Sequence, residues 1–258
     1  MKKAYTIILT TITILCIVFG TAYHTGLFLK NIPPLPFLND NSGIAGNEIS
    51  VNEEYSGITS AVLDLDLMNV TVCTSDSDNV ELSYEGMEKL RPVVTVENGV
   101  LILNHPEKIN LGLKDIKPKD DKAKLILSFP ENTGLMDLSI NVDMGNIDIK
   151  DLNAHSLELG VDMGNVEAAG LTVDDADIDC NMGNVALKLN TVRNLVINSD
   201  MGNVDIDSDT DLSGYSISCS ADLGNVMING KKVSNDFERD GSGGRIDINS
   251  DLGNITLN

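Results

Sequence analysis

From Leu138 to Leu257 the chain alternates apolar and polar positions in short runs, and the alternation slips wherever Met/Leu-Gly-Asn-Val/Ile recurs. That tetrad falls at glycines Gly145, Gly164, Gly183, Gly202, Gly224 and Gly253, spaced 19, 19, 19, 22 and 29 residues apart. Aligned on the glycine, the copies share four apolar columns. Seven residues before it stand Leu138, Leu157, Ala176, Leu195, Ile217 and Ile246; five before it, Ile140, Leu159, Ile178, Ile197, Cys219 and Ile248. Two residues after it stand Ile147, Val166, Val185, Val204, Val226 and Ile255; four after it, Ile149, Ala168, Leu187, Ile206, Ile228 and Leu257. A period of two within each half is the signature of a half-buried strand. The slip at Gly-Asn marks a corner, where Gly and Asn tolerate a positive φ. Each repeat is then two short strands, one slip per repeat, and a fixed period of this length predicts units that stack on one another.

The expected fold is an all-β, single-stranded parallel β-solenoid of about six Gly-Asn rungs. Its structural corners are Gly145, Asn146, Gly164, Asn165, Gly183, Asn184, Gly202, Asn203, Gly224, Asn225, Gly253 and Asn254. A helical solenoid is excluded by the β-branched residues and the recurring glycines. The insertion Lys231–Gly244 reads as a loop. Upstream, strand-like runs at Ala61–Leu67, Val70–Thr74, Val80–Tyr84, Val93–Val96, Val100–Leu103 and Lys124–Phe129 are less regular and suggest an N-terminal β cap. Asn98-Gly99 is a hairpin signal, and Leu67-Met68-Asn69-Val70 is a degenerate corner without its glycine.

Ahead of this part lies an uncharged run, residues 4–29, between Lys2-Lys3 and Lys30. As a helix it reaches about 39 Å, enough for a bilayer core of about 30 Å. The flanking lysines predict a single-pass anchor with its N-terminus inside and the rest extracytoplasmic. A cleaved signal peptide is the rival, since Gly20 and Ala22 put small residues at −3 and −1 of a cut; the product is then secreted. The organisation expected is an anchor at 1–30, a Pro/Gly-rich linker at 31–47, an N-terminal β part at 48–135 and the repeat solenoid at 136–258.

Charge narrows the function. Asp and Glu number 39 against 18 Lys and Arg, a net −21, which argues against a nucleic-acid partner. No P-loop or dinucleotide fingerprint occurs. Outside the anchor there are three cysteines, Cys73, Cys180 and Cys219, an odd count without metal spacing. Taken in chain order, Cys180 and Cys219 stand two rungs apart, about 9.6 Å, too far for a disulfide. His105 and His155 belong to no nucleophile or HExxH frame.

Two outward columns invite a functional reading. The Asn column reads first as a stacked amide ladder. Two residues before each glycine, Asp143, Asp162, Asn181, Asp200, Asp222 and Asp251 form a second column. Asp143, Asp162, Asp200, Asp222 and Asp251 are candidate calcium ligands, but one column offers too few of the six to eight oxygens calcium takes. The favoured reading is a solvated face with neither metal nor cofactor. Lys108–Lys124 holds six lysines and reads as a solvated loop, with contact to anionic polymer or headgroups as the alternative.

The stretch from Phe129-Pro130 through the first Gly-Asn corners resembles the bacterial putative-adhesin β-strand-repeat domain family, a family of unknown molecular function. The resemblance covers residues 48–258 and implies a surface-exposed, membrane-anchored β-solenoid without a catalytic site. The reading is therefore a non-catalytic extracytoplasmic module with an adhesin-like binding or structural role at the cell envelope. The alternatives are a polysaccharide-acting enzyme on a β-helix scaffold and an envelope-stress accessory protein. Expected partners are the membrane, through residues 4–29, and a cell-wall polymer or envelope protein. Self-association through the final rung, Asn254–Asn258, is a further expectation, because an uncapped edge tends to pair.

Overall fold

The structure, a computed structural model, describes residues 48–105, 123–131 and 134–258. The expected anchor, the linker and all but the end of the lysine-rich segment lie outside these residues. Among the described residues no helix is long and apolar enough to cross a membrane.

The repeats stack as parallel rungs in register. Strand Leu135–Met144 pairs with Asn153–Met163, which pairs with Val166–Met182, which pairs in turn with Val185–Met201. All four apolar columns face inward, each member at most 8% exposed, so the core is one continuous ladder of aliphatic side chains. Stacking apolar side chains in columns lets each rung bury the face its neighbour cannot bury alone.

Parity slips more often than the expected once per repeat. In the Gly202 rung, Leu189, Val192 and Leu195 are all inward, with Asn190-Thr191 and Arg193-Asn194 turned away between them. Each coil therefore bends at two further points besides the Gly-Asn corner. Short sides with few residues hide these extra bends from a simple period of two.

The stack also departs from chain order at both ends. Strands Arg245–Leu252 and Ile255–Leu257, the last repeat, lie between the Gly202 rung and the Gly224 rung, paired to both. The expectation that Asn254–Asn258 forms an open terminal rung is thus corrected, and with it self-association through that edge. The longer spacings explain the exchange. The 22-residue step lets the chain pass over one empty rung height, about 9.6 Å rather than 4.8 Å, before making the Gly224 rung. The 29-residue step then carries an antiparallel ribbon over the exposed edge and returns the chain to fill the gap. Lys231–Lys232 pairs with Met227-Ile228, and Asp236–Arg239 with Ile217–Ser220. Lys231–Gly244 is therefore an end cap with strands of its own rather than a loop. Its turn is Asn229-Gly230, with φ of 50° and 69°, the mirror-type hairpin turn also made by Asn98-Gly99.

A similar exchange occurs at the other end. Strand Ser60–Ser75 is a full rung, paired with Val100–Asn104 and Ala123–Pro130 on one side and with Leu135–Met144 and Ile147–Lys150 on the other. Antiparallel strands close this end: Val93–Glu97 on Val100–Asn104, Val80–Met87 on Ala123–Pro130, and Glu48–Tyr55 outermost. The stack thus continues unbroken across residue 135. The new order also places Cys180 three rungs from Cys219, about 14 Å along the axis rather than 9.6 Å. Both are free thiols.

Candidate functional site

The corner motif builds the most regular surface of the molecule, one column per residue of Asp-Met-Gly-Asn. At the glycine column the backbones come so close that no side chain fits. A Cβ added to Gly183 would stand 1.6 Å from the Gly164 carbonyl oxygen, and one on Gly145 would stand 1.7 Å from that of Met68. This close approach selects glycine at all six corners. Gly164, Gly183 and Gly202 also have positive φ, 154° to 158°, which L side chains rarely adopt, whereas the corner asparagines have no positive φ.

The asparagines earn their place through a ladder. The Asn146 N–H donates to Asn69 Oδ1 at 3.0 Å, and the Asn165, Asn184 and Asn203 N–H groups each donate to the preceding Oδ1 at 2.9 Å. The ladder runs on through Asn254 and Asn225 at 3.0 and 3.1 Å, in the order of the stack rather than of the chain. Side-chain Nδ2 groups share the same acceptors. The cap finishes both columns: Lys232 Nζ donates to Asn225 Oδ1 at 2.5 Å, and Asn235 Nδ2 to the Gly224 carbonyl at 3.1 Å. Asn69 confirms the degenerate corner as a true member, whereas Lys232 and Asn235 carry no periodic signal.

Before the glycines, Asp143, Asp162, Asp200, Asp222 and Asp251 are all exposed. Asn181 interrupts the column and donates to Asp162 Oδ1 at 2.8 Å. The same relief recurs further back along the strands, where Asn198 donates to Asp179 at 2.9 Å and Asn194 to Asp175 at 2.5 Å. The Asn194 hydrogen bond holds the Asp175 carboxyl below the ordinary value, aided by Arg193. Asp177 is shifted the other way, by burial and then by the charges of Asp179 and Glu158. Among the described residues no three carboxylate, imidazole or thiol groups converge to hold a metal. Beside Gly160 lies a shallow hollow of about 320 Å³ edged by Asn141, Asp143, Asp162, Asp179 and Asn181.

Among the described residues, neither His105 nor His155 has a serine, threonine or cysteine hydrogen-bonded to its ring. His155 Nδ1 meets Asp174 Oδ2 at 2.7 Å on the open surface. His105 is held below the ordinary imidazole value by burial, against the opposing charges of Asp66 and Asp64.

The column that sequence reasoning passed over is the residue immediately before each glycine. Met163, Met182, Met201, Leu252 and Leu223 are 39%, 42%, 45%, 45% and 69% exposed, and Met144 is half-buried. The signal was present, since the residue recurs in every tetrad and the slip at Gly-Asn turns both it and the preceding residue outward.

These features define a capped β-solenoid whose corner columns face solvent. Residues 58–257 match the Toastrack DUF4097 family, and the chain belongs to it. Among solved structures, a putative cell adhesion protein from Clostridium sporogenes is 12% identical over 82% of this chain and 99% of its own, with a TM-score of 0.54. A putative adhesin from Bacteroides fragilis is 14% identical over 88% of this chain and 100% of its own, with a TM-score of 0.44. At such identities the likeness to the clostridial protein is one of fold. No curated protein matches the chain.

Proposed function

We propose that the chain is a non-catalytic, extracytoplasmic module, held at the membrane through residues 4–29, which binds a cell-wall or envelope component with the flank of its solenoid. One observation carries this reading: the described rungs repeat the same outward columns along the axis. An active site breaks a repeat, whereas a binding surface gains from repetition through many weak, equivalent contacts. The clostridial protein of like fold is described as a putative cell adhesion protein, which supports such a role. The Asp column serves as a solvated acidic face rather than a calcium site, so melting in millimolar calcium and in chelator should agree within a few degrees.

The test is performed on intact cells carrying Asp209→Cys, an exposed position on the coil. A membrane-impermeant maleimide should label this variant above the wild-type background without permeabilisation. A photo-crosslinker on the same flank should then trap an envelope component. Labelling that requires permeabilised cells would overturn the reading.

A further inference from the structure

We propose that the Met/Leu stripe and the acidic wall beside it form a docking surface for a cationic, amphipathic polypeptide helix, an inference that rests on the binding role above. Strand pairing sets Met144, Met163, Met182, Met201, Leu252 and Leu223 side by side in that order. Five steps of about 4.8 Å give a stripe about 24 Å long. A helix rises 1.5 Å per residue, so about 16 residues lie along it. The stripe lies outside the core columns, which are complete without it, and is bordered by the Asp column on one side and by the Gly and Asn columns on the other. A contiguous run of exposed apolar side chains rimmed by polar ones marks an interaction surface. Methionine suits this use, since its flexible thioether adapts to partners of varied shape.

Charge selects the partner. In each of the six repeats, the seven residues ending at the Met or Leu include no Lys or Arg. They supply instead Asp143, Asp162, Asp200, Asp251 and Asp222 next to the stripe, with Glu158, Asp177, Asp179 and Asp247 behind. Arg245, paired with Asp247 at 2.6 Å, is a cation at the margin of this wall. On the other side of the stripe run the uncharged Gly and Asn columns. A helix with one apolar face and Lys or Arg along one border of it matches this layout, apolar face on the stripe and cations over the carboxylates. An anionic bilayer or a second copy of this chain, itself at −21, is repelled by the same wall.

The test uses the full chain in phosphatidylcholine nanodiscs, with empty nanodiscs subtracted. The probe is a fluorescent 16-residue peptide of Leu and Lys patterned at helical period; its scrambled isomer is the control. The patterned peptide should bind at least ten-fold more tightly than the scrambled one. The triple variant Met163→Ser, Met182→Ser, Met201→Ser should lose at least ten-fold in affinity. In the wild-type protein carrying ¹³C-methyl methionine, the Met163, Met182 and Met201 methyl signals should shift on binding while that of buried Met68 stays still. This last readout does not depend on how the variant folds. Equal binding of the two peptides, no binding, unchanged affinity of a folded triple variant, or unmoved stripe methyls would each overturn the proposal. Extracellular labelling at position 209 is independent of these results, so the binding module can stand while this partner class falls.

Discussion

The Asn254 N–H donates to Asn203 Oδ1 at 3.0 Å although 51 residues separate the two. The Asn225 N–H then donates to Asn254 Oδ1 at 3.1 Å, so the last repeat in the chain sits inside the stack. The last rung therefore presents no open edge, which leaves the flank as the surface on which the proposed binding role rests. A solenoid that ended at its C-terminus would offer an open edge; this one closes that edge with its own ribbon.

Close approach at the corner predicts a large penalty for the smallest side chain. Gly183→Ala places a Cβ against the Gly164 carbonyl at 1.6 Å, a clash with rigid backbone. Overpacking of this kind costs about 3 kcal/mol. Gly214→Ala meets nothing within 4 Å and should change stability by no more than about 0.5 kcal/mol. Urea midpoints measure both; equal midpoints would refute the close-packed corner.

Two buried hydroxyls predict a gain. Ser199 and Ser250 are neighbours on adjacent rungs, each 3% exposed, and neither Oγ has a hydrogen-bond partner among the described residues. Burying an unpaired polar group costs about 1–3 kcal/mol. Ser250→Ala should raise stability by about 1 kcal/mol, because a methyl group suits a column otherwise built of Val142, Val161, Cys180 and Ala221. A lower thermal midpoint would show that the hydroxyl has a role.

The thiols predict alkaline sensitivity. Burial, with a smaller push from Asp200, raises Cys180 from 9.0 to about 11; burial and Asp247 raise Cys219 to about 12. The folded chain thus holds these protons more tightly than the unfolded chain. Their contribution is fully present below about pH 9 and is lost as the pH climbs through 11 to 12. Burial likewise raises Tyr84 from 10.0 to about 12, adding to the loss above pH 10. The melting temperature should fall between pH 8 and pH 10.5, and iodoacetamide should leave Cys180 and Cys219 unmodified in the native protein at pH 8. A flat profile, or ready alkylation of both, would contradict the burial.

Much of this architecture is legible in the sequence because burial writes itself as parity. Ile140, Leu159, Ile178 and Ile197 align by counting, and all are buried. Asn69 is recognisable from its flanking Met68 and Val70 even without a glycine. Rung order is not legible, for a physical reason: every rung offers the same hydrogen-bond register and the same apolar columns on both sides, so a repeat fits any gap of the right height. Only the long steps hint at the exchange, and a charged, Gly-rich segment such as Lys231–Gly244 reads as a loop. The positive φ of Gly164, Gly183 and Gly202 was legible, but the close approach between rungs, which excludes a side chain at all six corners, leaves no mark within one repeat. Lys232 acts once, at the end of the ladder, and single events are invisible to periodicity.

The most direct test of the account is which rung lies next to Asp205. Thr256 pairs with both Asp205 and Met227, so one rung spacing, about 4.8 Å, separates residues 205 and 256. Residues 205 and 227 stand two spacings apart, about 9.6 Å, beyond the roughly 7 Å a disulfide can bridge. Under mild oxidation, Asp205→Cys with Thr256→Cys should form a cross-link visible as a joined peptide by mass spectrometry, and Asp205→Cys with Met227→Cys should not. A 205–227 link without a 205–256 link would mean that the rungs stack in chain order, and would return the open edge to the C-terminus.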